Sequence, residues 1–294
     1  MKVGLPMKLR FLLTKICTTV VIFFIGILTA AVVFLASMSM KNGRGIYFLP
    51  RAARDLSVSM LLKSSGHRII SPFRLAAIYA KLTLKQLVYD NRMVEQENIR
   101  NSMFSCDSYQ NARNLFAKFF IEQCFFFITD KNDPRIMVCG DTFGMAVLYF
   151  KMIYPNAAIT VLDPCVYSPA FAHKNIKDNH YDDVSIVPAV MSDPDGLTKL
   201  LLKIDGRLDL LTIDIDGAER FIIQAFIAAH KLDSVNEVYV NYHLTSRGSL
   251  GAFLTSLESS GFVCRIHNTS FDEGVCSSQK EQTIIVHALR RDQG

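Results

Sequence analysis

The 294-residue chain has no low-complexity tract, no internal repeat and no strong excess of charge of one sign. Half of its residues are hydrophobic and a fifth are charged, which is not the composition of a disordered chain. The net charge of +5 includes four basic residues of the extreme N-terminus, Lys2, Lys8, Arg10 and Lys15, and the remainder is near neutral. That excludes the strongly basic face that a nucleic-acid partner calls for. A GxGxxG run, the fingerprint of a dinucleotide-binding turn, is also missing.

Charge is absent altogether from Ile16 to Met40, a stretch apolar on every face. It exceeds the about 20 residues that cross a bilayer as a helix and the apolar core of about 7–15 residues of a cleaved signal peptide. The expectation is a basic tail over 1–15, a signal anchor over 16–40, an irregular stem over 41–85 and a folded domain over 86–294. The purely basic tail favours a single-pass type II protein with a lumenal or extracellular C-terminal domain. Cys264 and Cys276 flank the loop of an expected hairpin and can pair in an oxidising lumen. Asn268-Thr269-Ser270 in that loop is a glycosylation sequon. Cys139 and Cys165 read as small buried hydrophobes.

From Leu75 to Phe127 the chain is helical in flavour, without Pro or Gly, and its Phe cluster (Phe116, Phe119, Phe120, Phe125, Phe126, Phe127) reads as core. After Pro134 the pattern alternates. Apolar runs of strand length occur at 135–139, 158–162, 184–188, 209–213, 237–241, 262–266 and 283–288, with helix-like segments between the first five. Ala218, Phe221, Ile222, Ala225, Phe226 and Ala229 form one apolar helical stripe. Gly261 is placed to end the helix that carries Leu250, Phe253, Leu254 and Leu257. Alternation of this kind implies an α/β fold: a doubly wound, mostly parallel seven-stranded sheet. The last two strands are too close for a crossover and predict an antiparallel edge hairpin.

In such a sheet the ligand sits beyond the carboxyl ends of the strands. The first strand runs into Gly140-Asp141-Thr142-Phe143-Gly144, where two glycines let the backbone turn and approach a ligand closely. The second ends at Asp163-Pro164, placed to accept hydrogen bonds from ribose hydroxyls; capping of the helix from Tyr167 is the alternative, with Ser168 competing. The third leads into Val190-Met191-Ser192-Asp193. The fourth enters Asp214-Ile215-Asp216-Gly217-Ala218-Glu219, and a helix N-terminus accounts for one of those three carboxylates, not for all. The fifth delivers His243 to the same rim as a candidate acid, base or ligand.

In this order the motifs resemble the FkbM-type S-adenosylmethionine-dependent methyltransferases of the class I fold. The resemblance covers about 135–244, and the run from Asp214 to Glu219 is its specific part. It implies S-adenosylmethionine as cofactor, held by Gly140, Thr142, Gly144, Asp163, Val190, Asp193 and Asp214. His243, Asp214 and Glu219 are the implied catalytic group, and no metal is implied. The chain departs from the family at Val138, where an acid is usual, and at Thr142, Thr212 and Asn241, where Asn, Lys and Glu are usual. Three readings follow. The first is methyl transfer to an oxygen of a small-molecule or glycan acceptor. The second is a glycosyltransferase using Asp214-Ile215-Asp216 as a metal-binding Asp-x-Asp. The third is a binding domain without turnover, motivated by Val138 and Asn241.

Overall fold

The computed structural model describes residues 70, 72–89, 92–141, 143–163, 169–189, 194–204, 206–215, 217–244, 249–273 and 280–291. The expected anchor over 16–40, most of the stem, Cys165 and Cys276 lie outside them. Among the described residues no helix is long and apolar enough to cross a membrane.

The chain forms two compact units. In the first, α1 (Pro72–Tyr89) buries Ala76, Tyr79, Leu82, Thr83 and Gln86, a stripe at helical spacing. It runs unbroken across the expected boundary at residue 86. Its partner α2 (Tyr109–Phe116) starts at Ser108, whose side chain accepts from Asn111 N, as an N-cap should. Tyr109 stacks on Tyr89 with ring centroids 5.8 Å apart.

The second unit opens with a departure from expectation. Residues 94–106 are not helical but form a hairpin, β1 (Val94–Ile99) and β2 (Ser102–Cys106). Arg100 and Asn101 both have positive φ, 50° and 77°, which the two-residue turn of such a hairpin requires. Asn98 Oδ1 accepts from Asn101 N at 2.9 Å. Helix propensity was the wrong guide here because the turn's only signal is Asn, without the usual Gly.

After a π-helical turn (Ala117–Ile121) comes the main sheet. Its strands are β3 (Arg135–Cys139), β4 (Ala158–Asp163), β5 (Val184–Pro188), β6 (Leu208–Ile213), β7 (Val235–His243), β8 (Phe262–Glu273) and β9 (Lys280–Arg290). Their spatial order is β5-β4-β3-β6-β7-β9-β8. The first five are parallel, while β9 pairs antiparallel with both β7 and β8. This is the expected seven-stranded sheet with its antiparallel hairpin at one edge.

The helices between strands are α3 (Met145–Ile153), α4 (Pro169–Asp178), α5 (Pro194–Leu202), α6 (Glu219–Ala228) and α7 (Leu250–Ser259). On one face Met137, Cys139, Leu211, Ile213, Val238 and Val240 pack with Leu197 and Leu201 of α5, Ile222 and Phe226 of α6, and Phe253 and Leu257 of α7. In α6 the expected stripe is rotated: Phe221 is 49% exposed, and Ile223 and Glu219 are buried instead. On the other face Phe125 meets Tyr239 edge-on, and Tyr149 of α3 packs against Phe119 and Phe120.

Helix α4 ties the hairpin to the sheet unit. Asn175 Oδ1 accepts from Ser105 N at 2.7 Å, and its Nδ2 donates to Ser105 O at 2.8 Å. Asn179 repeats the pattern on Met103 N and O. Four residues of helix rise about 6 Å and two residues of strand about 6.7 Å, so two amides one turn apart can imitate a neighbouring strand. Asn175 Nδ2 also donates to Phe143 O at 2.7 Å, which anchors the loop after β3. Asn175→Ala would leave three backbone groups unpaired at a fully buried position. We expect a loss on the order of 3 kcal/mol in denaturant unfolding; a loss under about 0.5 kcal/mol would contradict the clasp.

Candidate functional site

Strand order reverses between β3 and β6, so the switch-point crevice opens at their carboxyl ends. The ladder continues one residue beyond each strand there: Gly140 N donates to Leu162 O at 3.1 Å and Asp214 N to Cys139 O at 2.9 Å. Gly140 has φ 92°, and a Cβ on it would lie 2.3 Å from Asp214 O and 2.5 Å from Ile215 Cγ1. No side chain fits. Gly144, at φ 72°, occupies the N-cap of α3. Both glycines turn the backbone at positive φ, as expected, and the close approach at Gly140 is to the end of β6.

Asp214 stands at the centre of the rim. Lys118 Nζ, from the π-helical turn, lies 2.8 Å from its Oδ1 and 2.7 Å from its Oδ2. Asn241 Nδ2 donates to Oδ1 at 2.9 Å. Burial works to raise the Asp214 pKa, but the Lys118 ammonium, its hydrogen bonds, the Asn241 amide and His243 outweigh that, and the carboxyl lies below its ordinary value. It is a held anion.

Glu219 has a different partner. It is 2% exposed at the start of α6, and its Oε1 accepts from His243 N at 3.2 Å and bonds His243 Nδ1. The structure therefore divides the expected acidic cluster: Asp214 pairs with Lys118, and Glu219 with His243. Two carboxylates facing one space would repel and lose solvation together, whereas each with its own partner does not. Asp216, the other acid of the run, lies outside the described residues, as do Thr142, Val190 and Asp193. Asp163 ends β4 opposite Pro188; its side chain lies outside the description. Val138 is 2% exposed and brings hydrocarbon where the resemblance has an acid.

Two residues of this rim were not singled out by any motif in the sequence. Lys118 is separated from Asp214 by nearly a hundred residues, and no spacing pattern could have joined them. Asp141 was visible inside the glycine run but had no role there. It is 5% exposed, and its Oδ2 accepts from Val147 N at 3.0 Å, capping α3. Burial pushes its pKa up to about 6, against the backbone N–H groups that lower it and with Asp214 adding to the rise.

A cavity of about 760 Å³ lies elsewhere, lined by Arg207, Asp233, Asn236, Glu237 and Arg290 among others. It is at the amino ends of β6 and β7. Arg290 Nε there donates to Val235 O at 2.7 Å, a structural use. The carboxyl rim remains the candidate site.

No family model matches the chain, and no curated protein matches it. Several solved structures are similar. The N-terminal domain of EvdMO1 with SAH bound has a TM-score of 0.45 and 14% identity, covering 77% of this chain and 100% of that one. TYW2 of M. jannaschii in complex with AdoMet has a TM-score of 0.44 and 10% identity, covering 67% and 86%. Precorrin-6y C5,15-methyltransferase from Geobacter metallireducens GS-15 has a TM-score of 0.39 and 17% identity, covering 54% and 81%. The fold assignment, a Rossmann-like doubly wound sheet, rests on the strand order and register above.

Asp141 makes the rim testable by pH. Its folded pKa, about 6, exceeds the ordinary 3.8, so the folded state holds the proton more tightly. That contribution is full below the ordinary value and is lost as pH rises through about 6. Asp214 has the opposite sign: its contribution is lost as pH falls. Relative to wild type, Asp141→Asn should gain on the order of 2 kcal/mol between about pH 4 and pH 7. Parallel stability curves for the two proteins would refute the assignment.

Proposed function

We propose that this chain is an S-adenosylmethionine-dependent methyltransferase of the FkbM type that methylates an oxygen. The observation that carries the reading is the switch-point crevice, where Gly140 brings bare backbone against Asp214 and Glu219 orients His243 beside it. The cofactor supplies an electrophilic methyl group on a sulfonium. Gly140 and Gly144, both at positive φ, let the backbone turn sharply beneath it. Asp163 accepts hydrogen bonds from its ribose hydroxyls, and Thr142, Val190 and Asp193 complete the contacts. The role of the chain is to align the acceptor oxygen with the methyl.

His243 is the base of this proposal. In this proposal Glu219 fixes the ring through Nδ1, and Nε2 is the nitrogen that would take the acceptor's proton. The acceptor hydroxyl would give its proton to Nε2 as its oxygen takes the methyl, the methyl–sulfur bond breaking with its electron pair left on the thioether sulfur. Asp214, held below the usual carboxylate range, is a weak base and serves instead as fixed negative charge beside the sulfonium.

We further propose that residues 16–40 anchor the chain as a single-pass type II membrane protein, its domain on the lumenal or extracellular side acting on a small-molecule or glycan acceptor. Carbonate-washed membranes should retain the intact chain. A soluble species beginning near Met38 would overturn the anchor.

The cofactor assignment is tested by calorimetric titration of the full chain with S-adenosylmethionine. One saturable site is expected; no heat at about 1 mM, the affinity of a contact worth only about 4 kcal/mol, would overturn it. His243→Gln should leave that binding within about twofold and lower turnover by about a hundredfold or more, as loss of a general base does. Binding with no turnover on any acceptor would favour a domain that keeps the fold and has lost the reaction.

A further inference from the structure

Lys118 and Asn241 take no part in the methyl transfer described above, yet both are built into the rim. Asn241 is 2% exposed. Its Nδ2 is committed to Asp214 Oδ1 at 2.9 Å, which sets the amide one way round and turns Oδ1 to the other side. Among the described residues that buried Oδ1 finds no donor. A buried acceptor left unmatched is costly, so the position asks for an N–H or O–H from a ligand. The neighbouring ion pair is not sealed: the Lys118 and Asp214 side chains are 17% and 21% exposed.

An ammonium and a carboxylate side by side, with one further acceptor, complement an α-amino acid. The carboxylate of such a ligand matches Lys118, and its ammonium, with three donors, matches Asp214 and the Asn241 oxygen together. S-Adenosylmethionine ends in that zwitterion. Val138 cannot meet it, being buried hydrocarbon. Lys118 comes from outside the sheet, on a π-helical turn, an insertion often found at functional sites.

We propose that Lys118, Asp214 and Asn241 form the subsite for the zwitterionic amino-acid end of the cofactor, Lys118 receiving its carboxylate and Asp214 with Asn241 Oδ1 receiving its ammonium. The subsite rests on the cofactor assigned above and replaces the acid missing at Val138.

The test compares two ligands on the full chain by calorimetry. S-Adenosylhomocysteine carries the amino-acid end; 5′-deoxy-5′-methylthioadenosine has the same nucleoside and a thioether but lacks it. Wild type should bind the first at least about tenfold more tightly, a comparison that needs no variant. Lys118→Met should erase most of that preference while leaving the methylthioadenosine affinity within about twofold, which also reports that the variant is folded. Asn241→Ala should reduce the preference in the same selective way, and Lys118→Arg should restore part of it. Equal affinity of wild type for both ligands, or variants that weaken both alike, would overturn the subsite and leave the cofactor assignment standing. A wild type that binds neither ligand would overturn both.

Discussion

Everything at the candidate site depends on one close approach, the backbone of Gly140 against the carbonyl of Asp214. A Cβ at 140 would meet that oxygen at 2.3 Å, far inside contact distance, so the ends of β3 and β6 converge only because the residue there is glycine. The convergence sets where α3 begins and where the Asp214–Glu219 segment leaves the sheet. It also places two carboxylates and a histidine from three elements around one crevice. A larger residue would part the strand ends, and the helices after them would move as well.

That convergence creates an electrostatic problem, which the chain answers by pairing. Carboxylates at a half-buried rim lose hydration, and each needs a partner or a proton. Asp214 takes the partner route, with Lys118 and Asn241 holding its charge. Asp141 has helix N–H groups and, among the described residues, no cation, and burial raises its pKa to about 6. Glu219 turns its charge to use by fixing the ring of His243. Three acids within one rim thus have three different environments, which is how a single crevice can hold a fixed charge, an acid that titrates near pH 6 and an oriented base.

Much of the sheet was legible beforehand because apolar runs of strand length and strand-to-helix alternation are local signals. Each of the seven expected strand segments lies in a strand, and Gly261, at φ 88°, ends α7 as its position implied. Other features were not local. The hairpin of β1 and β2 was hidden because Arg100-Asn101 lacks the Gly that usually marks a tight turn. The burial of Glu219 in place of Phe221 could not be read from an apolar stripe, because the pull came from His243 on another strand. Lys118 is the clearest case: it stands in a Phe-rich run with no motif around it, and only the fold brings it to Asp214. The glycine run and the histidine were legible, and the pairing among the acids was not.

The most direct test of the central claim, that the rim between β3 and β6 is the cofactor site, is a crystal structure of the protein with S-adenosylhomocysteine. The ligand should lie over the Gly140–Gly144 turn, with its ribose on Asp163 and its amino-acid end between Lys118 and Asp214. A ligand bound at the Arg207–Arg290 cavity instead, with the rim unchanged, would contradict it.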